Sequence, residues 1–275
     1  MKDTPGVNWL YALPALALMA LVNLLPIGET FRLAGEFGRL TTDVRVWPVL
    51  RTTLAFTVAT VSLELLLGLA VALVLWRPFP GRGGVRACVL IPWALPTAVM
   101  AMAWRWIYNA DYGVLGDILY RLGLSASPQI PWLADPTSAF WACVLADVWK
   151  TTPFMAILLM SGLASVPAEL HEAAAIDGAG PVRRFFLVTL PLLKPTIAVA
   201  VIFRSIHAFG IFDLIYVLTG GGPGGRTQTM ALYVYDTVFR YQELAYGCAL
   251  TLVMTACLVL LAALLLLVGR APESR

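Results

Sequence analysis

The stretch Ser165-Val-Pro167-Ala-Glu169-Leu-His171-Glu172-Ala173-Ala174-Ala-Ile-Asp177-Gly178-Ala-Gly-Pro181-Val-Arg183-Arg184-Phe-Phe-Leu-Val188-Thr-Leu190-Pro191 is a charged, alanine-rich island between two long apolar runs. Read locally, it is a helix, a turn and a second helix. Ser165 reads as an N-cap and Pro167 suits a first turn, while Glu169 and Glu172 sit where the helix dipole favours negative charge. The alanines have high helix propensity, and Gly178 is a natural stop because it enters the left-handed region without a Cβ penalty. Pro181 then opens a second short helix, and Pro191 and Pro195 are expected to break the chain before the next apolar run. Ala173 and Ala174 leave a low-relief face that can enter a partner's groove, and Glu169 and Glu172, three apart, share a side. The expected form is a rigid lever protruding from its surroundings.

Those surroundings are hydrocarbon. Of the 275 residues, 60% are hydrophobic and 13% charged, and the mean hydropathy is +0.81. Reading for apolar runs bounded by charges gives six spans, Trp9–Ile27, Thr52–Trp76, Ala87–Tyr108, Ser138–Leu163, Thr196–Leu218 and Ala245–Val268. With no ten-residue alternating strand pattern, backbone groups in lipid must bond within their own segment, so the spans are helices. The expectation is an all-α membrane protein with one transmembrane domain over residues 1–275 and a connection at residues 164–195 that holds the lever. The first run is long for a signal-peptide core and is followed by five others, so it reads as an uncleaved helix.

Arg77, Arg82 and Arg86 occupy a short connection with no acid, the strongest positive-inside signal in the chain. They place that connection, the lever and both termini in the cytoplasm, with Arg270 and Arg275 after the last span in agreement. Outer segments mix arginines with acids. Two of them look amphipathic: Val114–Leu122, with Asp117 and Arg121 at i, i+4, and Met230–Glu243, with Asp236 and Arg240 likewise.

Several classes are excluded. The net charge is +3 and no cluster of Lys and Arg exceeds three residues, so there is no nucleic-acid signal. Lys2, Lys150 and Lys194 are the only lysines and none follows a glycine, so no phosphate-cradling loop of the G-x-x-x-x-G-K-[ST] kind exists. The glycine-rich Thr219–Gly225 has no lysine. Cys88, Cys143, Cys248 and Cys257 lie in apolar runs without CxxC spacing and read as small buried residues. His171 and His207 form no catalytic or metal-ligand constellation.

The lever carries a recognisable spacing: Glu172-Ala173-Ala174, three residues, Gly178, nine residues, then Val188-x-Leu190-Pro191. This resembles the EAA loop of the membrane subunits of binding-protein-dependent ABC importers, with Val188 in place of isoleucine. The form Glu-Ala-Ala-Ala-Ile-Asp-Gly-Ala is similar to that of the carbohydrate-uptake subfamily, the MalF-like sugar permeases. Ile215-Tyr-Val-Leu-Thr-Gly-Gly-Gly-Pro223, with Thr227 and Thr229, and Asp147-Val-Trp149-Lys150-Thr-Thr-Pro-Phe154-Met resemble the same subfamily, the latter its trehalose-type members.

The resemblance, over roughly residues 9–268, implies a type I importer permease fold in the bacterial or archaeal plasma membrane. It implies coupling to ATPase subunits through Glu169, Glu172, Ala173, Ala174, Asp177, Gly178, Arg183, Leu190 and Pro191. The implied partners are a second homologous permease, two ABC ATPases that hold the ATP and magnesium, and an extracytoplasmic sugar-binding protein. No cofactor is expected on this chain, which would be a transport subunit and not an enzyme. The expected cargo is a sugar, with an α-linked disaccharide favoured; another solute such as a glycerol phosphate is the alternative, and an ion-driven secondary transporter a more distant one.

Ionisable residues inside spans are costly and face a cavity or a partner. Glu64, Asp147, Lys150, Arg204 and Asp213 are such residues. Rings beside hydrogen-bonding groups suit a sugar, so the candidate pathway is Trp149, Lys150, Phe203, Arg204, His207, Phe209, Asp213 and Tyr246. Structural roles compete: Asp147 and Lys150 can pair at i, i+3, and Arg204 can pair with Glu64 or with a partner's acid. Trp104, Trp106 and Tyr108 read as an interfacial aromatic belt.

Overall fold

The computed structural model describes residues 7–269, and Lys2, Arg270 and Arg275 of the charge argument lie outside them. The described regular elements are helices: α1 Val7–Leu33, α2 Arg39–Thr42, α3 Val46–Trp76, α4 Arg82–Ala94, α5 Thr97–Ile107, α6 Val114–Arg121, α7 Pro136–Ala164, α8 Ala168–Ile176, α9 Pro181–Arg184, α10 Leu190–Phe209, α11 Asp213–Leu218, α12 Met230–Tyr235 and α13 Leu244–Gly269. Short π-helical turns, Phe185–Thr189 and Asp236–Arg240, follow α9 and α12. Among the described residues five helices are long and apolar enough to cross a membrane, and a sixth crossing results if the bent pair α4–α5 counts as one span.

Contacts divide the chain into two compact units, one of residues up to Val44 with Tyr233–Cys257, the other of Arg45–Leu232 with residues from Leu258. In the larger unit α7 packs against α3, α4 and α10, and α3 also against α10. Ala72, Met155, Ala156, Leu159, Leu163, Leu193 and Ala200 form its core. Small residues let the backbones approach. A Cβ on Gly68 would meet Met155 Cγ at 2.6 Å, and one on Gly162 would meet Leu193 Cδ1 at 2.6 Å and Thr196 Oγ1 at 2.5 Å. Without a hydrophobic drive between helices in lipid, such close packing is what holds them together. In the smaller unit, Tyr233 and Tyr246 both donate to the Asp43 carboxylate, Arg39 lies over the Tyr246 ring, and Arg39 pairs with Glu243 at 2.8 Å.

Four expectations change. The third span is not one straight helix: α4 and α5 meet at 92°. Pro96 has no N–H and holds Leu95 in the extended region, ψ 137°, so the helix cannot run through. Pro191 and Pro195 do not break the chain, because Pro181–Phe209 runs as one helical stretch through the π turn at Phe185–Thr189. The wider π turn lies directly ahead of Pro191, which follows Leu190 at the start of α10, and Pro195 sits inside α10 without ending it. The fifth span ends earlier than expected, at Phe209, with α11 separate. Finally, Ser165 caps no N-terminus: it ends α7, its hydroxyl donating to the Gly162 carbonyl at 2.8 Å, and Pro167 precedes α8.

Candidate functional site

Arg204 on α10 is the hub of a buried ionic cluster. Its Nε and Nη2 donate to the two Glu64 carboxylate oxygens at 2.6 and 2.7 Å, and Nη2 also donates to Asp147 Oδ2 at 3.1 Å. Glu64 on α3 is fully buried and Asp147 on α7 nearly so. Thr151, one turn beyond Asp147, can donate its single proton to Glu64 Oε1 or to the Asp147 carbonyl. The guanidinium fork thus ties together three helices by the strongest geometry available to it. Of the two roles weighed for Arg204, pairing with Glu64 is the one observed.

Lys150 has another partner than Asp147. Its Nζ donates to the carbonyls of Trp93 and Leu95, at 3.3 and 2.8 Å, where the α4–α5 bend leaves the backbone carbonyls without helical donors. A bend at membrane depth needs such a substitute donor.

Between these groups lies a cavity of about 370 Å³, lined by Trp93, Thr97, Asp147, Lys150, Thr151, Arg204, His207, Gly210, Ile211, Phe212 and Asp213. Two cations and two carboxylates border it, with hydroxyls from Thr97 and Thr151. Asp213 opens α11, and Phe212 stacks on Tyr216 with centroids 5.3 Å apart. Beside it runs an aromatic ladder: Trp93 stacks on Phe154, Phe154 meets Phe203, and Phe203 lies 4.4 Å from the His207 ring.

Of the candidate pathway residues, Lys150, Arg204, His207 and Asp213 come together at this cavity. Phe203 stands behind His207. Trp149 points elsewhere, edge-on to Trp104, and Phe209 is wholly buried in packing. Tyr246 belongs to the smaller unit and is engaged by Asp43 and Arg39. Tyr108 is not part of an interfacial belt: it is 2% exposed and donates to the Ala142 carbonyl. Sequence reading missed Trp93, Thr97 and Thr151. The pair Pro92 and Pro96, four residues apart inside an apolar run, was the available signal for a bend whose carbonyls would need Lys150.

The lever is α8, Gly178 and α9. Gly178 has φ +77°, and its N–H and that of Ala179 bond back to Ala175 and Ala174, at 3.0 and 2.9 Å. This is the two-bond Schellman stop expected of a glycine there. No residue of α8 is buried, and Ile176 is 87% exposed. Glu169, Glu172, Asp177 and Arg183 are exposed as well. In the glycine-rich loop, Thr227 bonds Thr219 and the Gly222 carbonyl, and Thr229 bonds the Ile211 carbonyl beside the cavity.

Residues 64–275 match the family described as the binding-protein-dependent transport system inner membrane component, and the chain belongs to that family. It is 43% identical over 270 residues to the trehalose/maltose transport system permease protein MalF of Thermococcus litoralis, covering 92% of this chain and 90% of that one. It is 44% identical over 214 residues to the sulfoquinovosyl glycerol transport system permease protein SmoG of Agrobacterium fabrum, covering 78% and 68% respectively. Its fold superposes with TM-score 0.83 and 19% identity on a chain of a bacterial alginate ABC transporter, solved in complex with an alginate pentasaccharide-bound periplasmic protein, over 95% of this chain and 94% of that one. The molecule is therefore an inner-membrane permease component with the type I importer fold, a transport subunit and not an enzyme.

Proposed function

We propose that this chain forms part of the pathway by which an ABC importer moves a sugar, with an α-linked disaccharide such as trehalose or maltose as cargo. The observation that carries the reading is the polar cavity between α4–α5, α7, α10 and α11, with charged groups, hydroxyls and rings on its walls. A sugar's hydroxyls need such donors and acceptors and its C–H faces need rings. The trehalose/maltose relative supports the choice of cargo. His207, Asp213 and Lys150 would take hydroxyls, while Arg204, bonded to Glu64 and Asp147 through Nε and Nη2, would keep the wall in place.

In this reading α8 seats on a separate ATPase subunit, one of two, on the cytoplasmic side, where both termini also lie. A second, homologous permease completes the pathway and an extracytoplasmic protein delivers the sugar. ATP and magnesium bind to the ATPases. Closure of the ATPases pulls on the Glu172–Gly178 lever and biases the bundle toward its outward-open state. The test is uptake into proteoliposomes holding the reconstituted transporter and its binding protein, with trehalose, maltose and a sulfonated glycoside offered in turn. Trehalose or maltose uptake lost in Asp213→Asn and His207→Gln supports the site; undiminished uptake in both removes it.

A second reading follows from the sulfoquinovosyl glycerol relative and from the two cations at the cavity. An anionic glycoside would place its charge near Lys150. Preference for the sulfonated glycoside in the same panel, abolished by Lys150→Met, selects this reading.

A further inference from the structure

A second cavity, of about 520 Å³, opens where α3 and α7 end and the lever begins. Leu73, Trp76, Leu163, Val182 and Phe185 supply apolar wall, and Arg77 and Arg184 supply a cationic rim with the His171 side chain beside them. None of its lining residues is acidic. The carboxylates of α8, Glu169 and Glu172, are exposed and do not reach it.

The arginines here differ from their neighbours. Arg82 and Arg86 are spent on the C-terminal carbonyls of α3, donating to Trp76 at 3.2 Å and Leu75 at 2.9 Å. Arg184 makes no such bond to a helix end among the described residues, and its Nε, like that of Arg86, is buried away from water without an acceptor. A buried donor left this way costs free energy until an acceptor arrives. The cavity's depth is set by the ends of two spans, at Trp76 and Ala164, with Trp76 marking the level at which an indole prefers to sit. Exposed Phe186 and Leu187, on the turn after α9, continue the apolar surface outward from the rim.

We propose that this cavity binds the head group of an anionic phospholipid, its phosphate accepting from Arg184 and Arg77 and its first acyl carbons lying against Leu73, Trp76 and Phe185. Basic pockets between helices at the membrane interface recognise such head groups. The occupant would bridge the end of α3 to α9, and so brace the root of the lever. This inference does not depend on which solute the transporter carries.

The transporter is purified with its partner subunits into phosphatidylcholine nanodiscs and titrated with phosphatidylglycerol, with further phosphatidylcholine, and with inorganic phosphate. Retained lipid is counted by native mass spectrometry. Phosphatidylglycerol is expected to remain bound at a saturable site where phosphatidylcholine exchanges away, and phosphate alone is expected not to displace it. Each arginine facing an anionic head group contributes about 5-fold in affinity, so R77Q/R184Q should weaken retention about 30-fold, while R77K/R184K retains most of it. Equal retention of the two lipids overturns the proposal without needing a variant. So does retention unchanged in R77Q/R184Q, or displacement by phosphate alone, which would mark a free-anion site. If R77Q/R184Q does not assemble, the wild-type competition and the single variant R77Q decide the matter.

Discussion

The Glu64–Arg204–Asp147 cluster and the α8–Gly178 lever both hold charge, and they hold it in opposite ways. In the cluster every guanidinium bond found is internal, the carboxylates are buried, and three helices supply the parts. On the lever the acids of α8 lie along one short helix, exposed, with no ion-pair partner among the described residues. A buried ionic group contributes through being satisfied where it stands, and losing one partner is severe. An exposed, self-capped helix contributes little to stability, so its charges are available for something outside the chain. The first region is a joint; the second reads as a contact surface.

Glu64→Ala tests the joint most severely. It leaves Arg204 buried without its main acceptor and should cost about 3–5 kcal/mol, read as a large fall in the thermal unfolding midpoint of the detergent-solubilised protein. Glu64→Gln with Arg204→Met and Asp147→Asn, which removes all three charges of the cluster, should recover most of that loss. Wild-type unfolding in Glu64→Ala would show that the cluster is not structural.

Gly162→Ala probes the same packed region without charge. Its Cβ would crowd Leu193 and Thr196, at a cost of about 1–3 kcal/mol in the same assay. Gly178→Ala is the counterpart on the lever. A left-handed residue bearing a Cβ costs about 1–2 kcal/mol locally, but α8 buries nothing, so the unfolding midpoint should barely move. Sugar-stimulated ATPase activity of the reconstituted complex should instead fall, and activity equal to wild type with an unchanged midpoint would strip the lever of its proposed role. The smallest effect is expected at Arg121, whose pair with Asp117 is mostly exposed: Arg121→Ala should cost less than about 0.5 kcal/mol.

Much of this was legible before any coordinates. The helical class and the glycine stop followed from local causes: apolar run length, alanine propensity and the φ that only glycine adopts cheaply. What was misjudged concerned proline. Pro96 bends α4 against α5 and Pro191 bends nothing, because the outcome depends on where the preceding carbonyls find donors, and Lys150 and the π turn at Phe185–Thr189 supply different answers. Tyr108, grouped with Trp104 and Trp106 by type, is buried because the Ala142 carbonyl accepts its proton.

The amino-acid sequence alone determined which segments must leave water and which must bond their own backbone, since both are properties of consecutive residues. It also determined the glycine stop and the exposed charges of the lever, which lie within one turn-helix unit. Only the tertiary structure decided that Arg204 answers Glu64, 140 positions away, and that Lys150 serves a backbone bend instead of Asp147. Those choices are made by the angle and depth at which α3, α4, α7 and α10 pack, quantities that no single helix contains.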